Sequence, residues 1–179
     1  MNVKKILSFD LLELSIRIWT SFFLIIYGVG KLNQFEGAKQ MNITINDASG
    51  AQMMWAFFGT TQTYPLIIGC LQITGAILLV FNRTKLLSAL LLTPVFLNII
   101  TLDILYGIDR GALLNAIIYQ SVFVFIIIQQ RKKIVLMFNT LIIKQDKTTA
   151  FRIKLMKFII AVFIAILLFF GFQKLSGLI

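Results

Sequence analysis

Five stretches of the chain, Leu14–Leu32, Tyr64–Phe81, Leu86–Tyr106, Ala112–Gln130 and Leu155–Phe172, each approach the length of apolar helix that crosses a bilayer. Such a span takes about 20 largely apolar residues. Runs of this kind leave few alternatives. With 59% hydrophobic and 13% charged side chains over 179 residues, a water-soluble domain could not hide its apolar surface. Soluble domains carry about 25% charged residues, and the mean hydropathy here is +0.91. The expectation is an all-α membrane protein: a four-helix transmembrane bundle plus an additional C-terminal transmembrane helix.

The charge is lopsided, with 17 Lys and Arg, 7 Asp and Glu, no His and a net of +10. The basic residues sit in short connections between apolar runs, a pattern of membrane topology and of attraction to anionic lipid. Nucleic acid is not an expected partner. With the N-terminus in the cytoplasm, the inner side collects Lys4, Lys5, Arg17, Arg83, Lys85 and eight more from Arg131 to Lys157, thirteen in all. The outer side has four, Lys31, Lys39, Arg110 and Lys174. That count orients the protein as multi-pass, N-terminus cytoplasmic and C-terminus outside. The start, Met1–Leu7, faintly resembles a signal peptide. Asp10, Glu13 and Arg17 then interrupt it and no small-residue cleavage site follows, so it is expected to be retained.

Three parts follow: residues 1–130, the four-helix bundle with an outer loop at 33–63; residues 131–154, a basic cytoplasmic amphipathic segment; and residues 155–179, an accessory fifth transmembrane helix. Asn82–Lys85 and Gly107–Gly111 read as tight turns. Within the outer loop, the aromatic stretch Met53–Phe58 suits an interfacial helix or a re-entrant cap. Ile134–Ile143 is too short to span and suits a helix along the inner surface. Two sequons, Asn42-Ile-Thr44 and Asn82-Arg-Thr84, carry little weight because such triplets arise often by chance.

Polar side chains inside a bilayer are costly and usually face the bundle. In the first span Glu13, Arg17, Ser21, Leu24, Gly28 and Lys31 recur at spacings of three and four and share one face. Pro65, Gly69, Gln72 and Ala76 make a stripe in the second, Pro94, Asn98 and Thr101 in the third, and Asn115, Tyr119, Ile126 and Gln129 in the fourth. Phe158–Phe172 of the fifth has no strongly polar residue, so that helix is expected to face lipid. The candidate binding residues of the bundle interior are therefore Arg17, Gln72, Asn98, Tyr119, Asp103 and Lys31. The alternative is that they only bind helices together. Glu13 at i−4 can pair with Arg17, or Arg17 can reach phosphate; Lys31 and Asp103 are expected to pair across the outer mouth. Pro94 is expected to kink its helix and free the Leu90 carbonyl. Cys70, the single cysteine, is expected to pack, and no catalytic residue is proposed. The lack of His removes the usual metal ligands, and haem ligation is not expected.

Arg17-Ile-Trp-Thr-Ser-Phe-Phe-Leu-Ile-Ile-Tyr-Gly-Val-Gly-Lys-Leu32, the aromatic Trp55–Gly59, Ile68-Gly-Cys-Leu-Gln-Ile-Thr-Gly-Ala-Ile-Leu-Leu79, Thr84–Leu92 and Thr93-Pro-Val-Phe-Leu-Asn-Ile-Ile100 together resemble the DoxX-like family of bacterial integral membrane proteins. The likeness covers about Glu13 to Gln130. It implies a four-helix core and links to quinone-coupled sulfur oxidation, oxidase subunits and oxidative-stress complexes. Many members carry Glu where this chain has Gln72, so a role needing a carboxylate there does not carry over. The branch with paired redox cysteines does not fit a chain with Cys70 alone. Three functions are expected in order: a non-catalytic membrane subunit or binding protein for a quinone or lipid, docked to other membrane proteins; a structural or assembly subunit; and a small transporter past Pro94, Asn98 and Asp103.

Overall fold

The computed structural model describes residues 9–42, 44–142 and 151–175. The expected retained start with Lys4 and Lys5, the sequon's Ile43, the connection holding Lys144 and Lys147, and the final four residues lie outside them. The described residues form seven α-helices and no strand: α1 Phe9–Gly30, α2 Gly50–Thr60, α3 Thr63–Val80, α4 Lys85–Leu105, α5 Arg110–Gln129, α6 Arg131–Leu141 and α7 Phe151–Leu175. A 3₁₀ turn, Ala38–Gln40, precedes α2. The chain divides into two compact units, Met1–Val135 and Leu136–Ile179.

Four helices, α3, α4, α5 and α7, are long and apolar enough to cross a membrane. Five were expected. The first, α1, has 22 residues but carries Asp10, Glu13 and Arg17 near its start, and it stands outside that group. In the second unit, α7 encloses the expected span Leu155–Phe172 and presents apolar side chains such as Phe163, Leu168 and Phe170 on its exposed surface. The short α6 carries Arg131, Lys132 and Lys133 in its first turn, with Ile134, Met137, Phe138 and Leu141 at helical spacing along one side.

In the first unit α1, α3, α4 and α5 alternate in direction. The start of α1 meets the end of α3 (Arg17 on Leu79), the start of α4 meets the end of α3 (Ser88 on Gly75), and the end of α1 meets the start of α5 (Asn115 on Tyr27). Helix α1 packs along α3, α3 along α4 and α4 along α5. The α5–α1 seam is looser in its backbone and is filled by rings: Phe9 and Phe125 lie 6.1 Å apart, Trp19 and Tyr119 6.0 Å, Tyr27 and Tyr119 6.1 Å.

The closest approach is between α1 and α3. A Cβ on Gly69 would stand 2.6 Å from the Gly28 carbonyl oxygen, and one on Gly28 would stand 2.9 Å from that of Gly69. Small residues let helix backbones meet where no hydrophobic force drives them together. The interior face of α1 is the stripe that its spacing predicts: Glu13, Arg17, Thr20, Ser21, Leu24 and Gly28 are buried. The core beside it is Leu24, Leu79, Leu92, Phe96, Tyr119, Phe123 and Ile126, with the Phe96 ring edge-on to Phe123 at 5.4 Å.

Helix α4 departs from the expected stripe. Its buried face is Ser88, Ala89, Leu92, Phe96 and Asp103, whereas Pro94, Asn98 and Thr101 are exposed. The polar residues misled here because Thr93 and Thr101 satisfy their hydroxyls on their own helix, at the Ala89 and Leu97 carbonyls, and so need no interior partner. The helix runs unbroken through Pro94. Cys70 is likewise exposed and not packed in the core. Taken together, the distribution is inverted: Glu13, Arg17, Gln72 and Ser88 are buried while Phe22, Leu97, Leu114 and Ile128 face outward.

Gly69→Ala should lower the melting temperature of the detergent-solubilised protein by the equivalent of about 1–3 kcal/mol, the usual cost of overpacking. Gly30→Ala should leave it unchanged, since nothing lies within 4 Å of the added methyl group.

Candidate functional site

Polar groups collect at both ends of the four-helix unit, and the two collections are built differently. At the Glu13 end the last turn of α3 leaves carbonyls without helical partners. Arg17 Nη1 donates to Leu79 O at 3.1 Å and to Val80 O at 3.2 Å, and Thr84 Oγ1 donates to Leu78 O at 2.7 Å. A guanidinium at a helix C-terminus also meets the negative end of the helix dipole. Arg17 Nη2 reaches Asn82 Oδ1 at 2.5 Å, which occupies the asparagine of the second sequon. Glu13 Oε1 lies 3.2 Å from Arg17 Nε and 2.5 Å from Lys85 Nζ. The expected Glu13–Arg17 pair is thus present, and Lys85 extends it onto α4. One carboxylate faces two cations, the α3 carbonyls take up the guanidinium, and the cluster serves as a joint.

The Lys31 end holds a cavity of about 110 Å³. On the same measure one water needs roughly 10–15 Å³. Its roof is α2, started by a capping box in which Gln52 N donates to Ser49 Oγ at 3.3 Å and Ser49 N donates to Gln52 Oε1 at 2.8 Å. The roof is held by rings: Phe35 lies 4.9 Å from Trp55 and 5.2 Å from Phe58, which stacks on Tyr64 at 5.4 Å. Gly50 abuts the Tyr106 carbonyl, and Gly59 abuts Ala38 and the Phe35 carbonyl, at distances that admit no side chain. The Met53–Phe58 stretch is therefore a helix over the mouth of the bundle.

Five of the six residues singled out in the sequence line this cavity: Lys31, Gln72, Asn98, Asp103 and Tyr119. Gln72 and Tyr119 are each 2% exposed and Asp103 8%. Asn98 is exposed and marks the rim, not the interior. Arg17 does not belong to the cavity; it lies in the joint at the other end. Lys31 and Asp103 face the same space but make no direct ion pair. Lys31 Nζ donates to Gln34 Oε1 at 2.5 Å and sits 5.6 Å from the centre of the Phe35 ring. Gln72 Oε1 and Asp103 Oδ2 are buried without a hydrogen-bond partner.

Some lining residues escaped the sequence reading. Tyr27 accepts a hydrogen bond from Asn115 Nδ2 at 3.0 Å and lines the cavity. It lies four residues before Lys31, so the helical spacing carried the signal. Trp55 and Phe58 were legible as an aromatic cap but not as a wall. Among the described residues no three metal-ligating side chains come together.

No family model matches the chain, and no solved structure matches it. It is similar to a protein of Bacillus subtilis (strain 168) described as uncharacterized protein YwoB, with 33% identity over 97 residues, 53% of this chain and 61% of the relative. The chain thus spans less than two thirds of that relative.

Glu13→Gln should destabilise the detergent-solubilised protein by about 3–5 kcal/mol, because it leaves the buried Arg17 and the half-buried Lys85 with no counter-charge. Arg17→Lys should also destabilise it, since an ammonium lacks the two-nitrogen fork that reaches the α3 carbonyls on one side and Asn82 on the other; thermal unfolding monitored by circular dichroism reads both.

Proposed function

We propose that this chain is a multi-pass membrane protein that holds the polar head of a small amphiphile in the cavity at the Lys31 end, without chemistry of its own. The observation that carries the reading is the convergence of Lys31, Gln72, Asn98, Asp103 and Tyr119 on one aromatic-walled space. A few convergent polar groups on apolar walls is the usual make-up of a small-molecule site.

In this reading α1 is a fifth span. Its charges are tolerable in lipid because Glu13 pairs with Arg17 and Lys85, and Arg17 also meets the carbonyls at the end of α3. The count of thirteen basic residues against four supports a cytoplasmic Glu13 end and an outward Lys31 end in a bacterial inner membrane. The motif likeness to DoxX-like proteins supports a subunit-like role beside other membrane proteins. Between the two expected ligands, the opposite charges of Lys31 and Asp103 on one space favour a charged lipid head over an oxidised quinone, which carries no charge.

Ala112→Phe tests the cavity. It projects a ring into the space from α5 without touching the polar groups, and should abolish retention of small molecules seen by native mass spectrometry of the mild-detergent protein. Equal retention in wild type and variant would sink the reading. Orientation is tested by cysteine labelling in cells on a Cys70→Ser background. Asp47→Cys should react with a membrane-impermeant maleimide added outside, and Arg83→Cys should not.

A further inference from the structure

The chemistry of the cavity narrows the ligand class, a step that rests on the binding reading above. Lys31 and Asp103 are opposite charges that line one space without touching. Gln34 and Phe35 hold the Lys31 ammonium short of an ion pair, so it stays open to a third group. Lys31 keeps two of its three N–H donors after bonding Gln34. Asp103, 8% exposed, brings a carboxylate to the same space. The cavity is therefore lined by a cation at one place and an anion at another. Trp55, Phe58 and Tyr119 supply ring faces or edges around the space, and ring faces attract a cation.

We propose that the cavity takes a zwitterionic phosphoammonium group, with the N–H donors of a primary ammonium on the Asp103 carboxylate and the phosphate oxygens on Lys31 Nζ. The ligand's charges run opposite to those of the protein, so its insertion leaves the site neutral. A trimethylated ammonium has no N–H to give to that carboxylate. An anionic glycerol head brings hydroxyl donors but no cation for Asp103. The same phosphoammonium chemistry occurs in the ethanolamine phospholipids and in free phosphoethanolamine. The exposed rim at Asn98 gives the lipid a side entry.

The test is native mass spectrometry of the full chain titrated with short-chain phosphatidylethanolamine, phosphatidylcholine, phosphatidylglycerol and free phosphoethanolamine. Phosphatidylethanolamine should bind about tenfold or more tightly than the choline and glycerol lipids. Asp103→Asn and Lys31→Met should each remove that preference, with melting temperatures of the ligand-free proteins close to wild type. A bound phosphoethanolamine without its acyl chains would identify a free metabolite as the source; retention of the phospholipid alone would identify the membrane. Lys31→Met keeps the proposal testable if Asp103→Asn unfolds. Equal binding of all three lipids by wild type, blocked by Ala112→Phe, would overturn the zwitterion and leave a less selective pocket. No binding of any probe would overturn the pocket as well.

Discussion

The joint of Glu13, Arg17 and Lys85 is the constraint on which the four-helix unit depends. One guanidinium ties three chain segments: its own helix through Glu13, the end of α3 through two carbonyls, and the α3–α4 turn through Asn82. Lys85 then brings the start of α4 to the same carboxylate. Each group alone would be a heavy burden in an apolar medium. Together they set both cations on one carboxylate, and Arg17 covers two of the carbonyls that close α3. The arrangement sets the relative height of α1, α3 and α4, from which the position of everything at the other end follows.

That other end is fixed by contact rather than by charge. The Gly28–Gly69 crossing brings two backbones together and presses the stem of Lys31 against α3; a Cβ on Gly69 would meet the Lys31 Cβ at 3.1 Å. Lys31 therefore stands on a backbone-defined post facing the mouth of the bundle. The aromatic stack of Trp55, Phe35, Phe58 and Tyr64 then places α2 above it. The polar site and its apolar walls arise from different forces, which is why a cavity persists between them.

Much of this was legible in the residues. The α1 stripe from Glu13 to Gly28 follows helical spacing because its neighbours on both sides are packed, so interior and exterior positions differ sharply in residue type. On α4 the same reasoning failed at Asn98 and Thr101. A hydroxyl that bonds its own helix backbone costs little on an outward face, so a polar letter there does not report burial. The pairing of Lys31 with Asp103 was also misread, because sequence gives depth and not azimuth: Gln34 and Phe35, just past the end of α1, hold the ammonium. Five candidate residues meet at one cavity and Arg17 belongs to the joint, a division that needs three-dimensional contacts to see.

The roof has a further consequence. Helix α2 is clamped at its first residue by the Tyr106 carbonyl and near its last by Ala38, and both clamps rely on glycine. A roof pinned at both ends stays over the mouth of the bundle, and the exposed Asn98 lines the cavity toward the side of the bundle. On the proposed reading, a ligand that takes the side route is gathered by its partition into the bilayer and its lateral diffusion there. Two compounds with equal affinity for the site would fill it unequally if one enters the hydrocarbon layer more readily, so lipid solubility becomes part of the selectivity.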